Sequence, residues 1–259
     1  MAEDAGRAGR MTEGFRARLR RGDALTGVWS TLNDPVTARI LALSGFDFVS
    51  IDLQHGYADF ASATALIDAL RGAPAAPLVR VPGGGAEQIG RALDLGAEGV
   101  IVPMVDGVED AVRAARACRY APAGTRSWGP LWQGVHPFAD HTTGDERATC
   151  IVMIETLGGV RDIERIAEVP GVDAVYVGPN DLALSAGLGR VPCTDSPELT
   201  ELIEGLVRRA RAVGLRIGVD AADAAQAALW RSRGVDFQIT ASDAGLLAAA
   251  ARAASPQGR

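Results

Sequence analysis

Eight short runs rich in Val and Ile, each followed by an amphipathic stretch, constrain this chain more than any other feature. They are LTGVWST (25 to 31), FDFVSID (46 to 52), PLVRVP (77 to 82), GVIVPMV (99 to 105), CIVMIET (150 to 156), AVYVGPND (174 to 181), LRIGVDA (215 to 221) and DFQITAS (236 to 242). Alternation of this kind marks repeated βα units, whose strands lie parallel with both faces covered by helices. Eight units in 259 residues predict an α/β fold, a closed (β/α)8 TIM barrel rather than an open doubly wound sheet.

Punctuation agrees with this division. Asp34-Pro35 predicts a helix over 34 to 44, Asp59 one over 60 to 71, and Ser196-Pro197 with Glu198 one over 197 to 213. Gly45, Gly72, Gly96, Gly171, Gly214 and Gly234 each precede the next run, where the end of a helix favours a left-handed residue. The chain divides into a tail and helix over 1 to 22, one barrel domain over 23 to 252 and a tail over 253 to 259, with 1 to 10 and 253 to 259 frayed. A Gly/Pro/aromatic excursion over 120 to 148 separates the fourth and fifth strands, and a loop of that length suits function or an interface. Its Trp128, Trp132, His136 and His141 read as packing and subunit contacts.

Several partners are excluded. The 26 basic residues, all arginine, are interspersed among 32 acids for a net charge of -6, which argues against nucleic acid. Three cysteines without C-x-x-C spacing signal neither a disulfide framework nor structural zinc, and fit a reducing cytoplasm. No apolar segment has the length of a signal sequence or a membrane span, so no membrane partner is expected. Without lysine no substrate ketone can form a Schiff base and no pyridoxal phosphate can be anchored. The run from Gly83 to Gly90 needs glycine at position 88 for a dinucleotide fingerprint and has Gln88, so NAD is not expected. Strands seven and eight end in GVDAAD and TASDAG without a glycine-rich phosphate site, which favours a non-phosphorylated substrate.

Barrel enzymes work at the C-terminal ends of their strands. There the sequence places Asp52 and His55, Arg80, Glu155 and Asp181. If the runs closed by Glu155 and Asp181 are neighbouring strands, both carboxylates face one cavity. An oxygen-only pair suits Mg²⁺ or Mn²⁺, with positions left for a substrate carbonyl and carboxylate. The plainer alternative makes each a helix cap. His55 suits a general base near neutral pH, with Asp52 orienting its ring or holding a metal-bound water; the alternative is a structural histidine. Arg80, between Val79 and Val81, needs a counter-charge, and a substrate oxyanion would supply it. With no amine available, carbanion chemistry here falls to a metal.

Taken in order, Ile51-Asp52-Leu53-Gln54-His55-Gly56, Leu78-Val79-Arg80-Val81, Ile101-Val102-Pro103-Met104-Val105, Ile154-Glu155-Thr156 and Gly178-Pro179-Asn180-Asp181-Leu182 resemble the 4-hydroxy-2-oxoheptanedioate aldolase (HpcH/HpaI) family of metal-dependent class II pyruvate aldolases. The likeness runs from about residue 22 to 250 and takes in Tyr120 to Arg126. It implies a barrel of the phosphoenolpyruvate/pyruvate type with an exchanged C-terminal helix, assembled as a homohexamer, a trimer of dimers. It also implies that Glu155 and Asp181 hold Mg²⁺, Mn²⁺ or Co²⁺, that Arg80 steadies an enolate oxygen and that His55 is the acid/base. Asp94 would reach a neighbouring subunit's site, and Gly178, Pro179 and the amides around Asn180 and Asp181 would grip a carboxylate. The implied partners are a small 2-oxo acid and an aldehyde, joined to or released from a 4-hydroxy-2-oxo acid.

Two positions depart from the family pattern: Gln54 stands where many members have Glu, and Met153 where they have an amide that contacts substrate. Met153 makes the expected pocket more apolar. The same site would serve a specialised-metabolism aldolase, an oxaloacetate-type decarboxylase or a thioester lyase. A barrel without catalysis would show as a broken carboxylate pair, and here both carboxylates and the histidine are present.

Overall fold

In the computed structural model, which describes residues 13–129 and 141–255, eight parallel strands close on themselves in sequential order. They are β1 (Leu25–Ser30), β2 (Phe48–Asp52), β3 (Ala76–Arg80), β4 (Gly99–Val102), β5 (Thr149–Ile154), β6 (Ala174–Val177), β7 (Arg216–Asp220) and β8 (Phe237–Ser242), with β8 pairing back onto β1. Trp132 and His136 lie outside the described residues.

The helices follow the strands as the barrel expectation requires: α2 (Pro35–Leu43), α3 (Phe60–Leu70), α4 (Ala86–Leu95), α5 (Val108–Ala117), the pair α7 (Leu157–Arg161) and α8 (Ile163–Ala167), α9 (Pro179–Ser185), α10 (Pro197–Ala212), α11 (Ala224–Ser232) and α12 (Asp243–Ala254). Asp34, Asp59 and Ser196 are the caps the sequence predicted, each side chain accepting first-turn amides. All six glycines expected at helix ends take a positive φ; Gly96, at φ 113, turns the chain out of α4 into β4. The excursion after α5 returns through α6 (His141–Arg147).

Inside the barrel, residues of alternate parity form a packed floor. Phe48, Tyr176 and Phe237 pack edge-on or tilted, with Phe15 of the N-terminal helix α1 (Phe15–Arg21) closing the lower end, 5.2 Å from Phe48 between ring centroids. Gly27 and Gly218 make room for these rings, since a Cβ would come within 2.2 Å of Phe48 and 2.5 Å of Phe237. An apolar plug below leaves the mouth, at the C-terminal strand ends, as the place where inward polar groups meet water.

Strand ends depart from the sequence expectation in one direction. β4 stops at Val102 and β6 at Val177, short of the runs that reached 105 and 181. Pro103 follows β4, and Pro179 opens a helix after β6; neither can donate to a ladder. At the other end α12 continues to Ala254, two residues into the expected tail. Among the described residues no helix is long and apolar enough to cross a membrane.

Candidate active site

Period-two alternation brings Asp52, Arg80, Glu155 and Asp220 to the mouth of the barrel interior, with Trp29 and Tyr176 beneath or beside them. Asp52 and Arg80 sit opposite one another in the β2–β3 register. Arg80 forks onto Asp52, Nε to Oδ1 at 2.8 Å and Nη2 to Oδ2 at 2.6 Å, and its guanidinium lies 4.5 Å from the Trp29 ring centroid. Burial works against both charges, but the pairing outweighs it: the Asp52 carboxyl is held below its usual range and the Arg80 guanidinium above its own. The counter-charge for Arg80 is therefore Asp52, where the sequence suggested a substrate oxyanion. Nη1 of Arg80 keeps no partner among the described residues.

Asp52 Oδ1 also accepts the main-chain amides of Gln54 at 3.1 Å and His55 at 3.2 Å. It fixes the turn that carries His55; it does not bond to the imidazole, as the orienting role would require. The His55 ring stands exposed at the rim without a hydrogen-bond partner among the described residues, while Gln54 Oε1 is buried with none.

Glu155 follows β5 directly and Asp181 lies in the first turn of α9, just beyond β6, with Ile154 opposite Val177 in the ladder. Glu155 is 1% exposed. Its Oε1 accepts the Met104 amide at 2.7 Å, and its Oε2 overhangs Gly178, where a Cβ would sit 2.5 Å from that oxygen. Neither carboxylate is a helix cap. Thr156 caps α7 through its own side chain, and Gly178 begins α9 with no side-chain cap. The Asp181 carboxylate accepts no hydrogen bond among the described residues. Burial pushes the Glu155 carboxyl up; the Met104 amide opposes that, and the charge of Asp181 adds to it.

These are the donors that a hard divalent cation takes: two carboxylates at adjacent strand ends, one with an oxygen that no protein group engages, and beside it a glycine, where any side chain would press on that oxygen. Among the described residues no group of three or more His, Cys, Asp or Glu side chains is placed to hold a metal. A cation on this pair would keep positions for water and substrate, as Mg²⁺ commonly does.

The other expected residues separate. Met153 is 2% exposed in the barrel's apolar interior, its methyl 2.6 Å from where a Gly178 Cβ would lie. Pro179 and Asn180 face a cavity of about 580 Å³ beside the mouth. Asp94 lies in the last turn of α4, which runs away from the mouth, and accepts Arg126 Nη2 at 2.6 Å, so it does not join its own barrel's cluster.

Three residues escaped the sequence reading. Asp220 accepts both Trp29 Nε1 and Tyr176 Oη on Oδ1, each at 2.8 Å, and burial raises its carboxyl pKa. The parity that singled out Asp52 would have found it, since 216, 218 and 220 face inward on β7. Tyr176, its phenol pushed well up by burial, carries no sequence mark beyond its strand. Met104 contributes a backbone amide in a left-handed conformation, φ 56, which no side-chain pattern announces.

The HpcH/HpaI aldolase/citrate lyase family model matches residues 25–250. A hydroxypyruvate/pyruvate aldolase of Roseovarius nubinhibens is 35% identical over 245 residues, covering 93% of this chain and 95% of that one. A 5-keto-4-deoxy-D-glucarate aldolase of Enterobacter sp. is 34% identical over 241 residues, covering 91% and 92%. The crystal structure of an HpcH/HpaI aldolase/citrate lyase family protein from Burkholderia cenocepacia superposes with TM-score 0.85 at 30% identity, covering 92% and 96%.

Proposed function

The chain belongs to the HpcH/HpaI aldolase/citrate lyase family, and from that premise we propose that it is a divalent-metal-dependent aldolase that makes or breaks the bond between a pyruvate-type enolate and an aldehyde in 4-hydroxy-2-oxo acids. The observation that carries this reading is the pair Glu155 and Asp181, drawn together at neighbouring strand ends and unused as helix caps. Relatives named as hydroxypyruvate/pyruvate and 5-keto-4-deoxy-D-glucarate aldolases support the reaction class.

A Mg²⁺, Mn²⁺ or Co²⁺ ion held by Glu155 and Asp181 would supply Lewis acidity toward the keto oxygen and carboxylate of a 2-oxo acid. Arg80, locked by Asp52 and Trp29, offers Nη1 to the oxygen on which negative charge develops. First-turn amides at Asn180 and Asp181 have no intrahelical acceptor and suit the substrate carboxylate. His55, ring free at the rim, takes the proton from the methyl carbon and returns it. Met153 and Gly178 pack against Glu155: a Cβ at Gly178 would lie 2.5 Å from its Oε2 and 2.6 Å from the Met153 methyl.

Exchange of the pyruvate methyl protons in deuterated water, followed by NMR with and without Mn²⁺, tests the enolisation half alone. Exchange should require the metal and vanish in Glu155→Ala. Silence in the parent protein with Mn²⁺ bound would refute the proposal.

A further inference from the structure

We propose that Asp220 selects the acceptor: its carboxylate takes a hydroxyl of the incoming aldehyde in the cavity beside the mouth, so hydroxylated aldehydes react in preference to aliphatic ones. The inference rests on the aldolase reading above and adds a residue and a substrate class to it.

Asp220 ends β7 on its inward face and borders the cavity of about 580 Å³, a volume in the range of small-molecule sites. The cavity shares Pro179 and Asn180 with the first turn of α9, which carries Asp181, and shares Trp29 with the face that supports Arg80. It therefore opens beside the reacting centre and not behind it. Much of the wall is apolar, including Val191, Ala221 and Ile239. In such a wall a placed carboxylate fixes the orientation of a bound molecule.

The two oxygens of Asp220 have different duties. Oδ1 is taken by Trp29 Nε1 and Tyr176 Oη, which together lock the plane of the group. Oδ2 receives no donor among the described residues. A fixed, half-used carboxylate at a cavity wall is a hydrogen-bond acceptor awaiting a donor, and a hydroxyl two atoms from an aldehyde carbon supplies one without adding charge. An aliphatic analogue of the same size would cover that oxygen and leave it unpaired, which is the stronger form of discrimination.

Glycolaldehyde and propanal differ by one hydroxyl in place of one methyl, so their kcat/KM ratio with pyruvate and Mn²⁺ reads the contact directly. The parent should favour glycolaldehyde by about 10–100-fold, the span a hydrogen bond to a charged group provides. Asp220→Asn keeps an oxygen for Trp29 and Tyr176 but removes the second acceptor, so the ratio should fall to within a few-fold of unity while Mn²⁺-dependent pyruvate proton exchange continues. A parent without preference, or an Asn variant with the parent's ratio, overturns the role of Asp220 even where exchange is intact. Loss of exchange in the variant also overturns it, because Asp220 would then act on the donor. Absence of exchange in the parent removes the aldolase reading itself, and this inference with it.

Discussion

At the scale of single residues, Glu155 is held against the interest of the fold. It is buried, beside a second carboxylate, and relieved by one amide, which Met104 donates from a left-handed conformation that costs about 1–3 kcal/mol for a non-glycine residue. Two unfavourable features converging on one oxygen are what a binding site requires and a structural carboxylate does not. Because the folded pKa lies above the unfolded one, the protonated form stabilises the fold fully below the unfolded value, and that contribution disappears as pH rises through the folded value. Near neutrality, without metal, ionised Glu155 weighs against folding. Glu155→Gln should then melt higher than the parent in chelator at pH 7, by about 2–4 °C if the relief is about 1 kcal/mol. The gap should close as pH falls below about 4, where the parent side chain is protonated too. Circular-dichroism melts across that range decide it, and a variant that melts lower at pH 7 would show that the carboxylate stabilises the fold.

At the scale of elements, α1 stands outside the eightfold repeat, and of the acids that fasten it (Glu98, Asp47 and Asp173) the last gathers the most partners. Asp173, just before β6, takes Arg16 Nε at 2.8 Å, Arg119 Nη2 at 2.9 Å, Arg20 Nη2 at 3.2 Å and the Cys150 amide at 3.0 Å, with its side chain 2% exposed. Removing it leaves Arg16 and Arg119 buried without their shared anion, so Asp173→Ala should destabilise the protein by about 3–5 kcal/mol. Hydrogen exchange over residues 15 to 21 should rise more than over β2 or β6; a uniform rise would show that α1 is not the element it fastens. This hub also marks the limit of what the sequence disclosed. Strands, caps such as Asp34 and turns such as Gly96 follow from local chemistry and were legible. Which charges meet depends on barrel register and helix direction. The Asp52–Arg80 pair, the Asp173 hub and the shared oxygen of Asp220 join residues 28, 157 and 191 positions apart at their widest, and no local pattern encodes them. The candidate carboxylates Glu155 and Asp181 were legible because they lie just beyond successive strands, β5 and β6, which consecutive βα units place side by side.

At the scale of the whole molecule, the question is what covers α12. Its first residue is anchored, Asp243 accepting the amides of Thr31 and Leu32, but beyond it Leu246 and Leu247 are exposed, the latter at 62%. Neighbouring α2 exposes Val36, Ile40 and Leu43 at spacings of four and three, one stripe of its surface. A 12-residue Ala/Leu helix is marginal in water on its own, and packing of its apolar side is what stabilises a helix of that length. A second copy of the chain is the occupant that the family resemblance implies, through exchange of this helix in a hexamer built as a trimer of dimers, and the same assembly would bring Asp94 to a neighbour's site. Charges placed in the stripe should prevent it. Light scattering after size exclusion should give a homo-oligomer for the parent and a smaller species for the double variant Ile40→Glu, Leu247→Glu, whose barrel, with its core untouched, should still melt cooperatively. Neither Ile40 nor Leu247 lines the cavity beside the mouth, so loss of aldol activity in that folded, smaller species would mean that the site is completed across the interface; full activity in a monomer would mean that each barrel works alone.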